Sequence, residues 1–94
     1  MYIAASKWTF KRDVSDEEAR AVVSQLQPTI QSQPGFLHYY GVKIDEKTAL
    51  AMHMWDTPEH AEKALQAIGP AAQRILGGLL AGVERMNGEV LQEF

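Results

Sequence analysis

The sequence lacks several features that would otherwise suggest a function. None of its 94 residues is cysteine, which excludes disulfide bonds, thiolate zinc sites and a cysteine nucleophile. Its longest uncharged apolar run, residues 75–83, is about half as long as a membrane-spanning helix. Positive charge is also scarce, since 9 lysines and arginines stand against 12 aspartates and glutamates, for a formal charge of −3. These absences argue against membrane insertion and against binding to a nucleic-acid backbone.

The small size of the chain restricts its architecture further. A domain of this length buries only about 60 to 65 per cent of the surface of its unfolded chain, so the core needs most of the apolar residues. There is no room for a separate cofactor domain, and we predict a single domain over residues 1–94 without a bound cofactor. The first residues include Lys7 and no small-residue cleavage site, so we expect no signal peptide and a cytoplasmic location.

The first half of the chain predicts a strand, a helix and a hairpin. Strand-forming residues fill positions 2–10, and a capping pair of Ser15 and Glu18 then marks the start of a helix. Pro28 predicts a kink or split in that helix, and the segment Gln33-Pro34-Gly35 predicts its end. Residues 36–44 and 48–56 read as two strands joined by a short charged turn.

The second half predicts one more helix and one more strand. Thr57 followed by Pro58 is typical of a helix start, and the apolar stripe that follows extends to Leu79. The phase of this stripe survives Gly69-Pro70, which predicts a bent or two-piece helix. A weaker strand pattern covers residues 83–92. The resulting βαββαβ order predicts an α+β, ferredoxin-like fold, with both helices on one face of a four-stranded antiparallel sheet.

The third predicted strand is apolar on both faces, which bears on the oligomeric state. One face carries Leu50, Met52 and Met54, and no third helix is available to cover it. Leaving these side chains in water would forgo roughly 1.5 to 3 kcal/mol each. We therefore predict a homodimer in which sheet packs on sheet.

Polar residues of the predicted hairpin are the candidates for chemistry. The predicted register pairs Tyr40 with His53 and His38 with Trp55, so that these side chains and Phe36 share one face beneath the second helix. A shift of one residue would separate them. Two histidines among apolar groups could accept a proton from a phenolic substrate. The alternative is that each is a hydrogen-bonded core histidine.

Other kinds of site have less support. His38, His53 and His60 lack a recognised ligand spacing, and we predict no metal site. The sequence contains no serine triad, glycine-rich phosphate loop or paired-acid motif. Trp55 could stack on a flat aromatic substrate or fill the core, whereas core packing is the better interpretation for Trp8.

Two segments carry a resemblance to a known family. Gln33-Pro34-Gly35-Phe36 and Met54-Trp55-Asp56-Thr57-Pro58-Glu59 closely resemble the antibiotic biosynthesis monooxygenase domain of the dimeric α+β barrel superfamily. The resemblance covers nearly the whole chain. It implies a homodimer that forms a dimeric α+β barrel, with a cavity in each subunit between the sheet and the helices.

Members of this family include cofactor-independent oxygenases of polycyclic phenols or quinols, heme-degrading relatives and proteins without a known activity. The resemblance implies a role in the pocket for Trp55. Leu65 stands where many members carry a histidine, and Ser6 or Lys7 stands where heme degraders carry an asparagine. These departures make heme degradation the third hypothesis.

The leading hypothesis is a monooxygenase-like domain that binds or oxidises a small phenol or quinol without a cofactor. The proton acceptors would be His53 and His38. The substrate-binding residues would be Trp55, Tyr40, Phe36 and Leu65. The alternative is a non-catalytic dimeric module that binds a small molecule or has a structural role, an interpretation that Leu65 favours.

Overall fold

The computed structural model describes all 94 residues and has the predicted order of elements. The strands and helices are β1 (Tyr2–Phe10), α1 (Asp16–Gln31), β2 (Phe36–Asp45), β3 (Thr48–Trp55), α2 (Pro58–Leu76) and β4 (Leu80–Glu89). The strands form one antiparallel sheet in the order β2-β3-β1-β4, with both helices packed on one of its faces. The predicted α+β, ferredoxin-like fold is therefore confirmed.

Both helices begin at the predicted capping residues. The Ser15 hydroxyl accepts a hydrogen bond from the Glu18 amide at 3.1 Å, and the Thr57 hydroxyl accepts one from the His60 amide at 3.1 Å. Each such cap is worth about 1 kcal/mol. Both helices continue through their internal prolines, so neither splits into two elements. The second helix ends at Leu76 with Gly77 as its cap, and Leu79 therefore lies outside it.

The last strand lies three residues earlier than predicted. It pairs with β1 from Leu80 opposite Phe10 to Glu89 opposite Tyr2, so the segment 90–92 falls outside the sheet. Asn87 and Gly88, two residues that disfavour strands, both pair along β1. Backbone pairing along the full length of β1 thus outweighs the weak strand tendency of these two residues.

The core lies between the helix-facing side of the sheet and the two helices. Alternate residues of β1 and β3 point into it, including Trp8, Ala51 and the fully buried Trp55. Leu26 and Ile68 meet them from α1 and α2. The single buried residue that is not apolar is His53, with 7% of its surface exposed.

The predicted register of the hairpin is wrong by one residue. At the turn Asp45 pairs with Thr48, and a regular continuation would indeed place Tyr40 opposite His53. An irregularity between Lys43 and Asp45 adds one residue to β2, so that Tyr39 pairs with His53 instead. A second irregularity between Phe36 and His38 makes Leu37 the extra residue there.

This shift moves two of the predicted site residues to the other face of the sheet. His38 pairs with Met54 and Tyr40 with Met52, and the two rings stack with centroids 6.4 Å apart. The outer face, as we call this side away from the helices, includes six such side chains from β2 and β3. They are His38, Tyr40, Val42, Leu50, Met52 and Met54.

The outer face is apolar, as the alternation of β3 predicts. Tyr40 and Met86 are 55% and 50% exposed, and Met52 and Met54 are half-buried. No element of the chain covers these side chains. In addition, neither helix has the length and hydropathy needed to cross a membrane.

Candidate active site

A cavity of about 80 Å³ lies between the sheet and the helices. Its lining is mainly apolar, with Trp8, Ile68 and Leu76 among the larger side chains. Five polar side chains also face it. They are Ser6, Tyr39, His53, Gln73 and Arg85.

A row of small residues crosses the sheet beneath the helices, and one of them, Ser6, lines the cavity. The strand pairings align Gly41, Ala51 and Ser6 across β2, β3 and β1, and Arg85 follows on β4. The neighbouring rows carry large side chains, with His53 on one side and Trp8 on the other. Small residues between large ones leave a trough beneath the helices.

His53 is the buried polar group of this trough. Its Nδ1 atom is buried without a hydrogen-bond partner, and burial lowers the pKa of its imidazole to about 4. The ring is therefore neutral at pH 7. A buried unpaired nitrogen costs roughly 1 to 3 kcal/mol.

Tyr39 lies beside His53, with ring centroids 5.1 Å apart. Burial raises the pKa of its phenol to about 12, so Tyr39 keeps its proton at neutral pH and can donate a hydrogen bond. A Cβ atom added at Gly41 would lie 3.5 Å from the Tyr39 hydroxyl, so the phenol leans over that glycine. Sequence reasoning missed Tyr39, because both faces of β2 carry aromatic residues and only the pairing selects between them.

Trp55 and Phe36 lie close to His53 in the core but do not line the cavity. The Trp55 indole is fully buried, 6.3 Å from the His53 ring and 5.6 Å from Phe36 in an edge-to-face arrangement. Its Nε1 atom is buried without a partner. The structure thus brings together His53, Trp55 and Phe36, whereas His38 and Tyr40 lie on the outer face.

Leu65 lines the cavity and also lines a second space. A surface pocket of about 260 Å³ lies on its other side, between α2, Tyr2 and Asn87. Leu65 is the one residue common to both linings. Its half-buried side chain therefore lies between these two spaces.

The helix above the cavity contains a weak point. Gly69 lines the cavity, and a Cβ atom added there would meet nothing within 4 Å. The next residue, Pro70, supplies no backbone N–H for the helical hydrogen-bond ladder. Glycine in a helix costs up to about 1 kcal/mol relative to alanine, so α2 is weakened where it covers the cavity.

The two segments that resemble the family meet at one place, close to Trp55. Gly35 has a φ of +82°, and its carbonyl accepts the Asp56 amide at 2.9 Å. The Asp56 carboxylate accepts a hydrogen bond from His60 Nδ1 at 2.6 Å, which lowers the Asp56 pKa. These contacts fix the start of β2 against the start of α2. The segments therefore specify the fold more than the chemistry.

The three histidines do not form a metal site in this structure. His38 is on the outer face, His53 faces the cavity, and His60 is paired with Asp56. More generally, no three histidine, aspartate or glutamate side chains come together as metal ligands would.

No family model and no curated protein sequence matches the chain. Several solved structures share its fold. SnoaB, a cofactor-independent oxygenase from Streptomyces nogalater, is 16% identical, with a TM-score of 0.80 over 98% of this chain and 94% of that one. A candidate antibiotic biosynthesis monooxygenase from Chloroflexus aurantiacus is 21% identical, with a TM-score of 0.67 over 99% and 95% of the two chains.

A third similar structure is a mutant of MhuD with two manganese protoporphyrin IX molecules bound per active site. It is 13% identical, with a TM-score of 0.75 over 100% of this chain and 98% of that one. At such identities the likeness is one of fold. The chain thus has the antibiotic biosynthesis monooxygenase type of fold, as the resemblance of its sequence implies.

Proposed function

We propose that the cavity binds a small phenol or quinol and that the protein promotes its oxidation by oxygen without a cofactor. The observation that carries this proposal is His53, a neutral, buried imidazole that lines an otherwise mainly apolar cavity. An apolar space with a few polar groups is typical of small-molecule sites. Trp8 offers a flat wall, and Tyr39 offers a hydrogen-bond donor.

Ligand binding requires the cavity to enlarge. About 80 Å³ holds two or three water molecules, whereas an apolar cavity that binds benzene has about 150 Å³. Two features of the site would permit enlargement. Rotation of Leu65 would join the cavity to the surface pocket, and α2 can bend at Gly69-Pro70.

The pKa of His53 defines its chemical role. Transfer of a proton from a phenol of pKa about 10 to an imidazole of pKa about 4 costs about 8 kcal/mol. Attraction between the two resulting charges, about 4 Å apart, offsets about 4 kcal/mol of this cost. His53 therefore binds the substrate hydroxyl mainly as a hydrogen-bond acceptor. Only in the small fraction of complexes that react does His53 accept the proton of the substrate.

Oxygen and the substrate supply the redox chemistry in this proposal. The deprotonated ring gives electrons to O₂, one oxygen atom enters the substrate, and the other leaves as water with two substrate hydrogens. An anthrone CH₂ group would become a quinone carbonyl by this route. The protein's share is to exclude water, orient the ring and hold the proton at His53.

The small cavity and the low pKa of His53 also support the alternative of a non-catalytic module that binds a small molecule. Both proposals share the same site and differ in whether oxygen is consumed. The third hypothesis, heme degradation, gains no support from a cavity of about 80 Å³, which is far smaller than sites for drug-sized ligands. Titration with hemin, followed by its Soret band, would test this hypothesis directly.

Oxygen uptake in the presence of dihydroxynaphthalenes and anthrones tests the proposal. We expect consumption above the rate without protein, with one water formed for each oxygen atom inserted. The variant His53→Gln should lower the rate by about 10² or more, the range of general-base contributions. His38→Gln on the outer face of the same hairpin is the matched control and should leave the rate unchanged.

Binding of these compounds without oxygen uptake would favour the non-catalytic module. Uptake that is equal in wild type and His53→Gln would contradict the role of His53. Equal losses in both histidine variants would instead point to a general effect on the hairpin.

A further inference from the structure

Arg85 occupies a distinctive position in the cavity wall. It is the one formally charged side chain in the lining, which contains no aspartate, glutamate or lysine. The ion pairs and side-chain hydrogen bonds of the chain all involve other groups. Arg12 provides the contrast, since its guanidinium is paired with the Glu18 carboxylate.

A second polar group accompanies Arg85. Ser6 is its cross-strand partner on β1, and both side chains line the cavity at the same end of the row of small residues. His53 lies diagonally across from Ser6, because it pairs with Ala4 on the same strand. Arg85 on β4 and His53 on β3 are therefore separated by the width of β1, with Ser6 between the two strands.

The electrostatics of the lining favour an anion at the Arg85 end. Tyr39 and His53 are both neutral at pH 7, because burial raises the tyrosine pKa to about 12 and lowers the histidine pKa to about 4. The positive charge of Arg85 is therefore not balanced within the lining. A guanidinium presents a planar set of donors that matches a carboxylate in two parallel hydrogen bonds.

We propose that the ligand is an aromatic acid whose carboxylate binds Arg85 and Ser6 while its hydroxyl group faces His53. The inference rests on the proposed function and narrows its substrate class from phenols in general to phenolic acids. Arg85 would act as the specificity-determining residue. Ser6 would add one hydroxyl donor at the same end.

Calorimetric titration with three matched probes tests the inference. The probes are 2-naphthol, 6-hydroxy-2-naphthoate and the uncharged 6-hydroxy-2-naphthamide. We expect the carboxylate to bind about five- to tenfold more tightly than the amide, a modest ratio because Arg85 is exposed and its charge is screened by water. Arg85→Gln should abolish this ratio, and Arg85→Lys should keep part of it, since a point charge remains.

Arg74→Gln is the control variant, because Arg74 is an exposed arginine of α2 outside the lining and should leave the ratio unchanged. Equal affinity for carboxylate and amide, or a preference that survives in Arg85→Gln, would overturn the inference. If 2-naphthol and the amide bind without any preference for the acid, the proposed function stands and the anion site alone fails. If none of the three probes binds, both proposals fail.

Discussion

At the scale of single residues, His53 couples the site to the stability of the fold. Its pKa is about 4 in the folded chain, and a histidine in an unfolded chain has a pKa of about 6.5. The unfolded state therefore binds more protons between these values, and stability falls as the pH drops through that window. Between pH 7 and pH 5 this single group should remove about 2 kcal/mol from the free energy of unfolding.

Denaturant unfolding of wild type and His53→Gln at pH 7 and pH 5 measures this contribution. The variant should lose about 2 kcal/mol less than wild type over that interval, because glutamine does not titrate. Acidic groups elsewhere affect both proteins alike and cancel in the comparison. Parallel losses in the two proteins would show that the imidazole is not buried in neutral form.

Gly35 is a second residue whose identity the structure explains. Its φ of +82° disfavours any side chain, and an added Cβ would overlap with the Asp56 and His60 side chains. We expect Gly35→Ala to lower the free energy of unfolding by about 2 kcal/mol or more. The overlap would also push the start of β2 away from the start of α2, so the fluorescence of Trp55 should change.

Gly69→Ala is the matched control for this prediction. An added Cβ meets nothing within 4 Å there, and alanine favours the helix, so stability should rise by about 0.5 to 1 kcal/mol. Thermal unfolding of the two variants should therefore show shifts of opposite sign. A gain in stability for Gly35→Ala would contradict the close packing at Asp56 and His60.

At the scale of elements, the sequence predicted the order of the elements, the helix caps and the boundaries of β1. It did not predict which side chains of β2 point toward the helices. Capping boxes and proline positions act locally, so Ser15 and Thr57 could be recognised from neighbours alone. A bulge depends on how two strands pair, and Ile44 and Leu37 carry no local sign of being extra residues. One extra residue moves the side chains beyond it to the opposite face of the sheet. Tyr39 therefore occupies the position predicted for Tyr40.

The candidate site was predictable to the extent that it depends on β3 and α2. The alternation of β3 placed His53 with Trp55, and the resemblance to the family indicated Leu65 as a pocket position. Arg85 could not be found, because the pattern of β4 is weak and does not indicate which of its side chains face the helices. The cavity lining combines side chains from all four strands, which only the strand pairing brings together.

Leu65 permits a test of how α2 controls access to the cavity. Leu65→Ala would join the cavity of about 80 Å³ to the surface pocket of about 260 Å³. Since Leu65 is half-buried, we expect a loss of about 1 to 3 kcal/mol in stability, the lower part of the range for buried leucines. At the same time, 2-naphthol should bind more tightly, because the site no longer has to open.

Calorimetric titration against the variant Ile75→Ala separates the two effects. Ile75 is also a half-buried residue of α2 but does not line the cavity, so its truncation should cost stability without improving binding. Tighter binding in both variants would indicate a general loosening of the helix. Unchanged binding in Leu65→Ala would show that this side chain does not limit access.

At the scale of the whole molecule, the outer face is an apolar surface that no element of the chain covers. It carries Met52 and Met54 in the centre of the sheet, with Tyr40 at 55% and Met86 at 50% exposure around them. Apolar patches of this kind on a small protein mark interaction surfaces. We infer a homodimer in which two outer faces pack together, since the same face is self-complementary about a two-fold axis.

The mass in solution tests the dimer. Sedimentation equilibrium at micromolar concentration should give twice the chain mass of 10.5 kDa. Met52→Glu would place a charge at the centre of the face, where it would be buried against its own copy, and should give the mass of one chain. Ala67→Glu adds the same charge on an exposed position of α2 and should leave the dimer intact.

The cavity lies on the opposite side of the sheet, so a monomeric Met52→Glu that still binds 2-naphthol would show that each subunit carries a complete site. A wild-type chain that sediments as a monomer would leave the outer face exposed and would contradict the inference.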